Sequence, residues 1–249
     1  MSEAPIPAEL VNRLRAARRV AVLTGAGISA ESGVPTFREA QTGLWAQYNP
    51  EELATPDAFR RDPRLVWEWY AWRQGRVRQA EPNAGHRALV DMERRVAEFT
   101  LITQNVDGLH RRAGSQHLLE LHGNLFRTKC FSEERPVESW PDSDEIPPRC
   151  PHCGSLLRPD VVWFGESLPV ETLRTAEHAA KSAEVFFSIG TSALVYPAAD
   201  LPFAALAAGA TVVEINPQPT PLSAQVSYSL NGAAGAVLPA LVARAWETA

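Results

Sequence analysis

The residues able to do chemistry in this 249-residue chain fall into four small groups. The first is Gly25-Ala26-Gly27-Ile28-Ser29-Ala30, which follows directly on the apolar run Arg19-Val-Ala-Val-Leu-Thr24. Glycine at the first two positions of a G-x-G-x-x-A pattern allows a tight turn and close approach of backbone to a pyrophosphate, and Ala30 fits the small packing position. A helix beginning here would aim its free N–H groups and positive dipole end at phosphate. The plain alternative is an ordinary strand-to-helix turn. The second group is Gln104-Asn105-Val106-Asp107 with His122, an imidazole whose near-neutral pKa suits a general base. Asn105 and Asp107 also suit turns and caps, and His122 also reads as a hydrogen-bonded structural histidine. The remaining histidines, at positions 86, 110, 117, 152 and 178, are read as structural. The third group is Tyr70 with Arg73, three apart and so on one helical face, where phenol and guanidinium can grip a carboxylate. Its alternative is a core tyrosine beside a solvated arginine. The fourth is Cys130 with the knuckle Cys150-Pro151-His152-Cys153, where Glu133 stands three residues after Cys130. Three thiolates and a carboxylate can close a tetrahedral zinc site, although four thiolates would be the stronger signal, so zinc stays open.

These groups need elements to position them. Short continuous apolar runs at 19–24, 99–103, 118–121, 184–189 and 211–215 predict strands buried on both faces. Helical patterns at 8–17, 63–79, 84–97, 170–182, 198–208 and 237–246 lie between them. The expected fold is α/β, a Rossmann-like parallel sheet with helices on both faces, carrying a small inserted zinc-ribbon-like module. One catalytic domain, 1–249, is expected. Its large part takes about 1–40, 83–123 and 170–249, and its small module about 41–82 and 124–165. Gln104, Asn105, His122, Thr191 and Asn216 all fall at or just past the C-terminal ends of expected strands, the edge where open α/β sheets bind ligands. The acidic residue an ordinary dehydrogenase places about twenty positions after the glycine turn, at the end of a second strand, has no counterpart here.

A formal net charge of −5 disfavours a sequence-independent nucleic-acid binder, which needs a phosphate-neutralising surface. No apolar run is long enough for a membrane span, and the N-terminus shows no signal peptide. Three cysteines without an export signal argue for reduced thiols. A cytoplasmic, monomeric protein is therefore the expectation.

Taken whole, GAGISAESGVPTFR (residues 25–38) closely resembles the cofactor loop of sirtuins, and Thr103-Gln-Asn-Val-Asp107, Leu121-His-Gly-Asn124, Gly190-Thr191-Ser192 and Asn216 follow in that family's order. The resemblance implies an NAD-dependent protein-lysine deacylase with acylated-lysine proteins as substrates. It implies NAD, as co-substrate, along Gly25, Ala26, Gly27, Ser29, Glu31, Phe37, Arg38, Gln104, Asn105, Asp107, Gly190, Thr191, Ser192, Asn216 and Ala234. His122 is then the catalytic base. Tyr70 and Arg73 resemble the pair of the subgroup that removes succinyl, malonyl and glutaryl groups, some deacetylation remaining. Val162, Trp163 and Phe164 resemble the block that binds substrate peptide. An NAD or ADP-ribose sensor without turnover, and a mono-ADP-ribosyltransferase, are the alternatives.

Overall fold

The computed structural model describes residues 6–34, 49–142 and 144–246. Phe37 and Arg38 lie outside them. Among the described residues, eight strands form two sheets. The larger is wholly parallel, in the order β3 (Leu118–Glu120), β2 (Glu98–Thr103), β1 (Arg19–Thr24), β6 (Val185–Ile189), β7 (Thr211–Asn216), β8 (Tyr228–Asn231). β1 lies at its centre, Val20 pairing with Phe99 on one side and Val185 on the other. This is the doubly wound order, whose direction of winding reverses beside the first strand and opens a crevice there.

Both faces of the sheet are covered, which accounts for the unbroken apolar runs. On one face Val20, Val22, Leu101, Phe187 and Val213 pack against α1 (Ala8–Ala16), α5 (Ala84–Glu93) and α9 (Ala234–Trp246). On the other, Ala21, Leu23, Ile102, Phe186 and Val212 pack against α7 (Val170–Ser182) and α8 (Leu201–Ala207). Burying one such leucine or phenylalanine fully is worth roughly 1.5–3 kcal/mol.

A separate apolar cluster belongs to the segments inserted between strands. Helices α2 (Pro50–Leu53), α3 (Pro56–Arg61) and α4 (Pro63–Arg78) bring Phe59, Val66, Trp69, Tyr70 and Val77 against Leu125, Val161 and Trp163. Proline opens each of α2, α3 and α4, at a position where its missing N–H costs nothing. The Thr55 and Asp62 side chains accept from Ala58 N and Leu65 N at 3.0 Å, capping α3 and α4. The partner sheet is the antiparallel pair β4 (Gly123–Cys130) and β5 (Leu157–Val161). The cysteine-bearing segment is the excursion between these two strands. A short α6 (Leu109–Ala113) completes the set. Among the described residues no helix is long and apolar enough to cross a membrane.

Three features of the structure bear on the expected site. No α-helix starts at the glycine turn; two 3₁₀ turns, Ala26–Ile28 and Ala30–Ser32, follow β1, and Gly33 at φ +76° ends the second in the left-handed region. Asn216 closes β7, which is not the last strand, since β8 follows. The segment around 161–166 is strand only to Val161, and the chain turns from Phe164 onward.

Candidate active site

Three glycines make the crevice. Gly25 and Gly27 lie so close to Gly190 that a Cβ on Gly27 would sit 2.6 Å from Gly190 Cα, and one on Gly25 would sit 2.7 Å from Gly190 O. Gly190, at φ +60°, would in turn drive a Cβ to 2.5 Å from Ile28 N. The ends of β1 and β6 therefore meet backbone to backbone, joined by Gly27 N donating to Gly190 O at 2.9 Å. The same contact fixes neighbours on the third strand. Asn216 Nδ2 donates to Thr191 O at 2.7 Å, and the Thr191 and Ser188 hydroxyls are 2.9 Å apart. Thr191 is buried and Ser192 exposed beside it. At the start of α9, next to Ala234, Gly235 N donates to Glu31 at 2.7 Å, tying the first loop to the last helix. Ala26 is half-buried on the same rim.

A polar network closes the floor. Asn105 Nδ2 donates to Gly25 O at 3.0 Å and to the Ser29 hydroxyl at 3.2 Å, while Ser29 donates to Asp107 at 2.8 Å. Asp107 also accepts from Leu109 N at 2.8 Å, an Asx turn leading into α6. Burial raises the Asp107 pKa, opposed by Leu109 N and the Ser29 hydroxyl. Asn105 and Asp107 thus act as turn residues and as part of the crevice at once.

His122 lies between β3 and β4, half-buried, with Nδ1 2.9 Å from Gln104 O. A carbonyl only accepts, so Nδ1 carries the hydrogen and Nε2 presents the lone pair. Burial lowers its pKa, opposed by that carbonyl.

Two histidines read as structural stand behind this floor. His86 Nε2 is 3.5 Å from the Ser29 hydroxyl, and His110 Nε2 is 2.9 Å from the Thr24 hydroxyl, with the rings 4.8 Å apart. Burial holds His86 near 4 and His110 well below the ordinary value. His86 is thereby a neutral member of the Ser29 network as well as the N3 partner of the Asn83 capping box on α5. Its N3 spacing from Asn83 was the available sequence signal, but nothing local shows which way its other nitrogen faces.

Tyr70 is buried and Arg73 half-buried on the same face of α4. The Arg73 guanidinium stacks over Trp69 at 5.0 Å and Tyr70 at 5.6 Å. Burial pushes the Tyr70 phenol up to about 12, with the Arg73 charge opposing. Burial lowers the Arg73 pKa, opposed by Tyr70 and by Asp107 of the crevice floor. Next to it, Val162 N donates to His122 O and Phe164 N to Ala54 O, each at 2.9 Å, and Trp163 N donates to Glu166 at 2.8 Å. All three amides are already bonded within the chain, so they are not a free ladder for an added peptide strand, and the Phe164 side chain is exposed beside them.

Ligand atoms of Cys130, Glu133, Cys150 and Cys153 all lie within 4.8 Å of one another. Thiolates at about 2.3 Å from a tetrahedral zinc stand near 3.8 Å apart, so this donor set fits one such ion. Glu133 also pairs with Arg135 at 2.9 Å.

The model of the Sir2 family matches residues 25–197, and the chain belongs to that family. An "NAD-dependent protein deacylase" of Aquifex aeolicus (strain VF5) is 55% identical over 82% of this chain and 85% of its own. The crystal structure of a Sir2 homologue–NAD complex superposes with a TM-score of 0.90 at 46% identity, covering 98% of this chain and 96% of that one. A substituted Sir2 homologue in complex with 2′-O-acetyl ADP-ribose gives 0.88 at 48% identity, covering 96% of each.

Proposed function

We propose that this protein is an NAD-dependent protein-lysine deacylase that prefers acyl groups ending in a carboxylate, such as succinyl and malonyl, with residual deacetylation. The deacylase reading rests on one arrangement above all: His122 Nε2, the Asn105–Ser29–Asp107 network and the glycine contact share one crevice at the sheet's switch point. The glycine backbone and the polar ends at Thr191 and Asn216 suit the pyrophosphate and adenosine side of NAD, and Asn105 with Asp107 the nicotinamide side. The acyl-lysine carbonyl oxygen attacks the anomeric carbon of the nicotinamide ribose as nicotinamide leaves. His122 Nε2 takes a proton from a ribose hydroxyl, whose oxygen then attacks the acyl carbon. Water completes the exchange, and free lysine and O-acyl-ADP-ribose depart.

The acyl preference rests on Tyr70 and Arg73. A phenol with its pKa raised stays protonated and donates, and a guanidinium beside it supplies fixed positive charge, the combination that suits a short acyl carboxylate. Zinc in the Cys130, Glu133, Cys150 and Cys153 site would hold the excursion between β4 and β5 in place; the chemistry needs nothing from it. Nicotinamide release from NAD with matched succinyl-lysine and acetyl-lysine peptides, products read by mass spectrometry, tests the whole reading. Preferential succinyl turnover with O-succinyl-ADP-ribose supports it; acetyl turnover alone removes the acyl preference. Binding of NAD without turnover of either peptide favours a sensor, and mass gained by an acceptor protein favours ADP-ribosyl transfer.

A further inference from the structure

Trp163 occupies the junction between the peptide segment and the acyl pair, and it is buried. Its indole Nε1 donates to Tyr70 Oη at 2.9 Å. Indole nitrogen is a donor only, so it can fill an acceptor position on the phenol but cannot receive the phenol's hydrogen. A phenolic hydrogen prefers the ring plane, on one side or the other. With the indole on one side, the hydrogen turns to the other, and among the described residues no acceptor is placed for it. A buried donor left without a partner costs about 1–3 kcal/mol, so a ligand that accepts from it gains correspondingly.

The indole is held firmly in that role. The Arg158 guanidinium lies 3.3 Å from the centre of the Trp163 ring, and the Phe59 ring is 5.3 Å away at 44°. Arg158 is fully buried and pairs with both carboxylate oxygens of Glu166, one of which also accepts from Trp163 N. Arg158 Nη2 further donates to Val161 O at 2.7 Å. Ring and backbone of Trp163 are thus clamped by one bidentate ion pair.

We propose that Trp163 is a specificity-determining positioning residue: by occupying the Tyr70 oxygen with its indole N–H, it commits the Tyr70 hydrogen to the far end of the acyl chain and so favours acyl groups that end in an acceptor. This rests on the reading of Tyr70 and Arg73 as the acyl-carboxylate pair. Trp163 touches no reacting atom; it acts through Tyr70.

Trp163→Phe keeps an aromatic ring beneath Arg158 and removes the donor together with part of the buried indole's volume. In the full-length protein, the ratio of kcat/KM for succinyl-lysine peptide to that for acetyl-lysine peptide should fall about five- to tenfold, the size of one hydrogen bond, through KM for the succinyl peptide. In a Tyr70→Phe background the same substitution should leave the ratio where Tyr70→Phe put it. A proportional fall for both peptides, or the same fall in the Tyr70→Phe background, overturns the proposal. The bond itself is read separately in ¹⁵N-tryptophan spectra, where the resonance missing from Trp163→Phe identifies the indole. In Tyr70→Phe that resonance should move upfield and exchange faster with water; if it stays unmoved, the proposal fails whatever the acyl preference. A wild-type ratio at or below one rejects the acidic-acyl reading, and the specificity role with it, even if the indole resonance responds.

Discussion

At the scale of single residues, protonation is set by burial, and the signs differ by role. His122 works as a base only when neutral, and burial lowers its pKa below the ordinary 6.5. Activity should therefore rise with pH and level off, with an acid limb in kcat/KM centred below 6.5. His122→Ala should cost about 10²–10⁴-fold in turnover, the usual worth of a general base. A limb centred above 7 would remove His122 from that role. His86 carries a stability consequence instead. Its folded pKa, about 4, lies below its unfolded one, so the unfolded chain binds the extra proton first. The stability present above pH 6.5 is then lost as pH falls from 6.5 towards 4, by on the order of 3 kcal/mol from this group. Denaturant unfolding at pH 7 and pH 5 should show a smaller pH-dependent loss in His86→Gln than in the wild type; equal losses would assign the effect elsewhere. For the acyl pair, Arg73→Met removes the guanidinium and keeps much of its stem. The succinyl-to-acetyl ratio of kcat/KM should drop about tenfold or more, as expected for a charge-assisted contact. An unchanged ratio at unchanged folding would leave Arg73 as packing on Trp69.

At the scale of elements, Asn83 shows how one side chain serves two segments. It caps α5 by accepting from Gly85 N at 2.9 Å and His86 N at 3.3 Å, and its Nδ2 donates to Ile28 O at 2.7 Å and Ser32 Oγ at 3.0 Å in the first loop. Asn83→Ala should cost about 1–2 kcal/mol, a few degrees in melting temperature, and raise KM for NAD because the loop loses its brace. A melting loss with KM unmoved would confine Asn83 to the cap. The cysteine excursion has its own test. Glu133→Cys should slow loss of zinc to a colorimetric chelator, and Cys150→Ser should lower bound metal measured by elemental analysis. What the amino-acid sequence disclosed at this scale follows the range of the forces involved. The runs at 19–24 and 211–215 are legible because a strand buried on both faces must be apolar throughout. β8, reading Tyr-Ser-Leu-Asn at the sheet edge, buries only Leu230 and carries no such mark. β4 and β5 escaped because Lys129 and Thr128 find their partners Arg158 and Pro159 across a long excursion, with a register shift at Asn124. The missing helix after β1 reflects a competition: Ser29, which a helix would turn outward, is drawn into bonds with Asn105 and Asp107. The candidate site was legible wherever a motif carried it, at Gly25, Asn105 and His122. It was not where only packing does, as with His86, Arg158 and the indole on Tyr70.

At the scale of the whole molecule, the glycine contact joins an early and a late part of the chain backbone to backbone. Gly25, Gly27 and Gly190 fill one small space with backbone, and no side chain can be added to any of them without moving another. Gly27→Ala should lower stability by about 1–3 kcal/mol, as overpacking does, and should weaken NAD binding in a titration by at least as much. Binding unaffected at reduced stability would detach the contact from the cofactor side. The central place of β1 has a further consequence, for synthesis. It is the first strand made, yet Val20 waits for Phe99 on one flank and Val185 on the other. At about 5–20 residues per second, a ribosome takes on the order of ten seconds or more to deliver the second partner after the first strand has emerged. Throughout that interval the nascent chain carries an apolar strand with an open flank, the kind of surface that chaperones bind and that neighbouring nascent chains can pair with. The innermost strand of the finished protein is, during its birth, the one longest exposed.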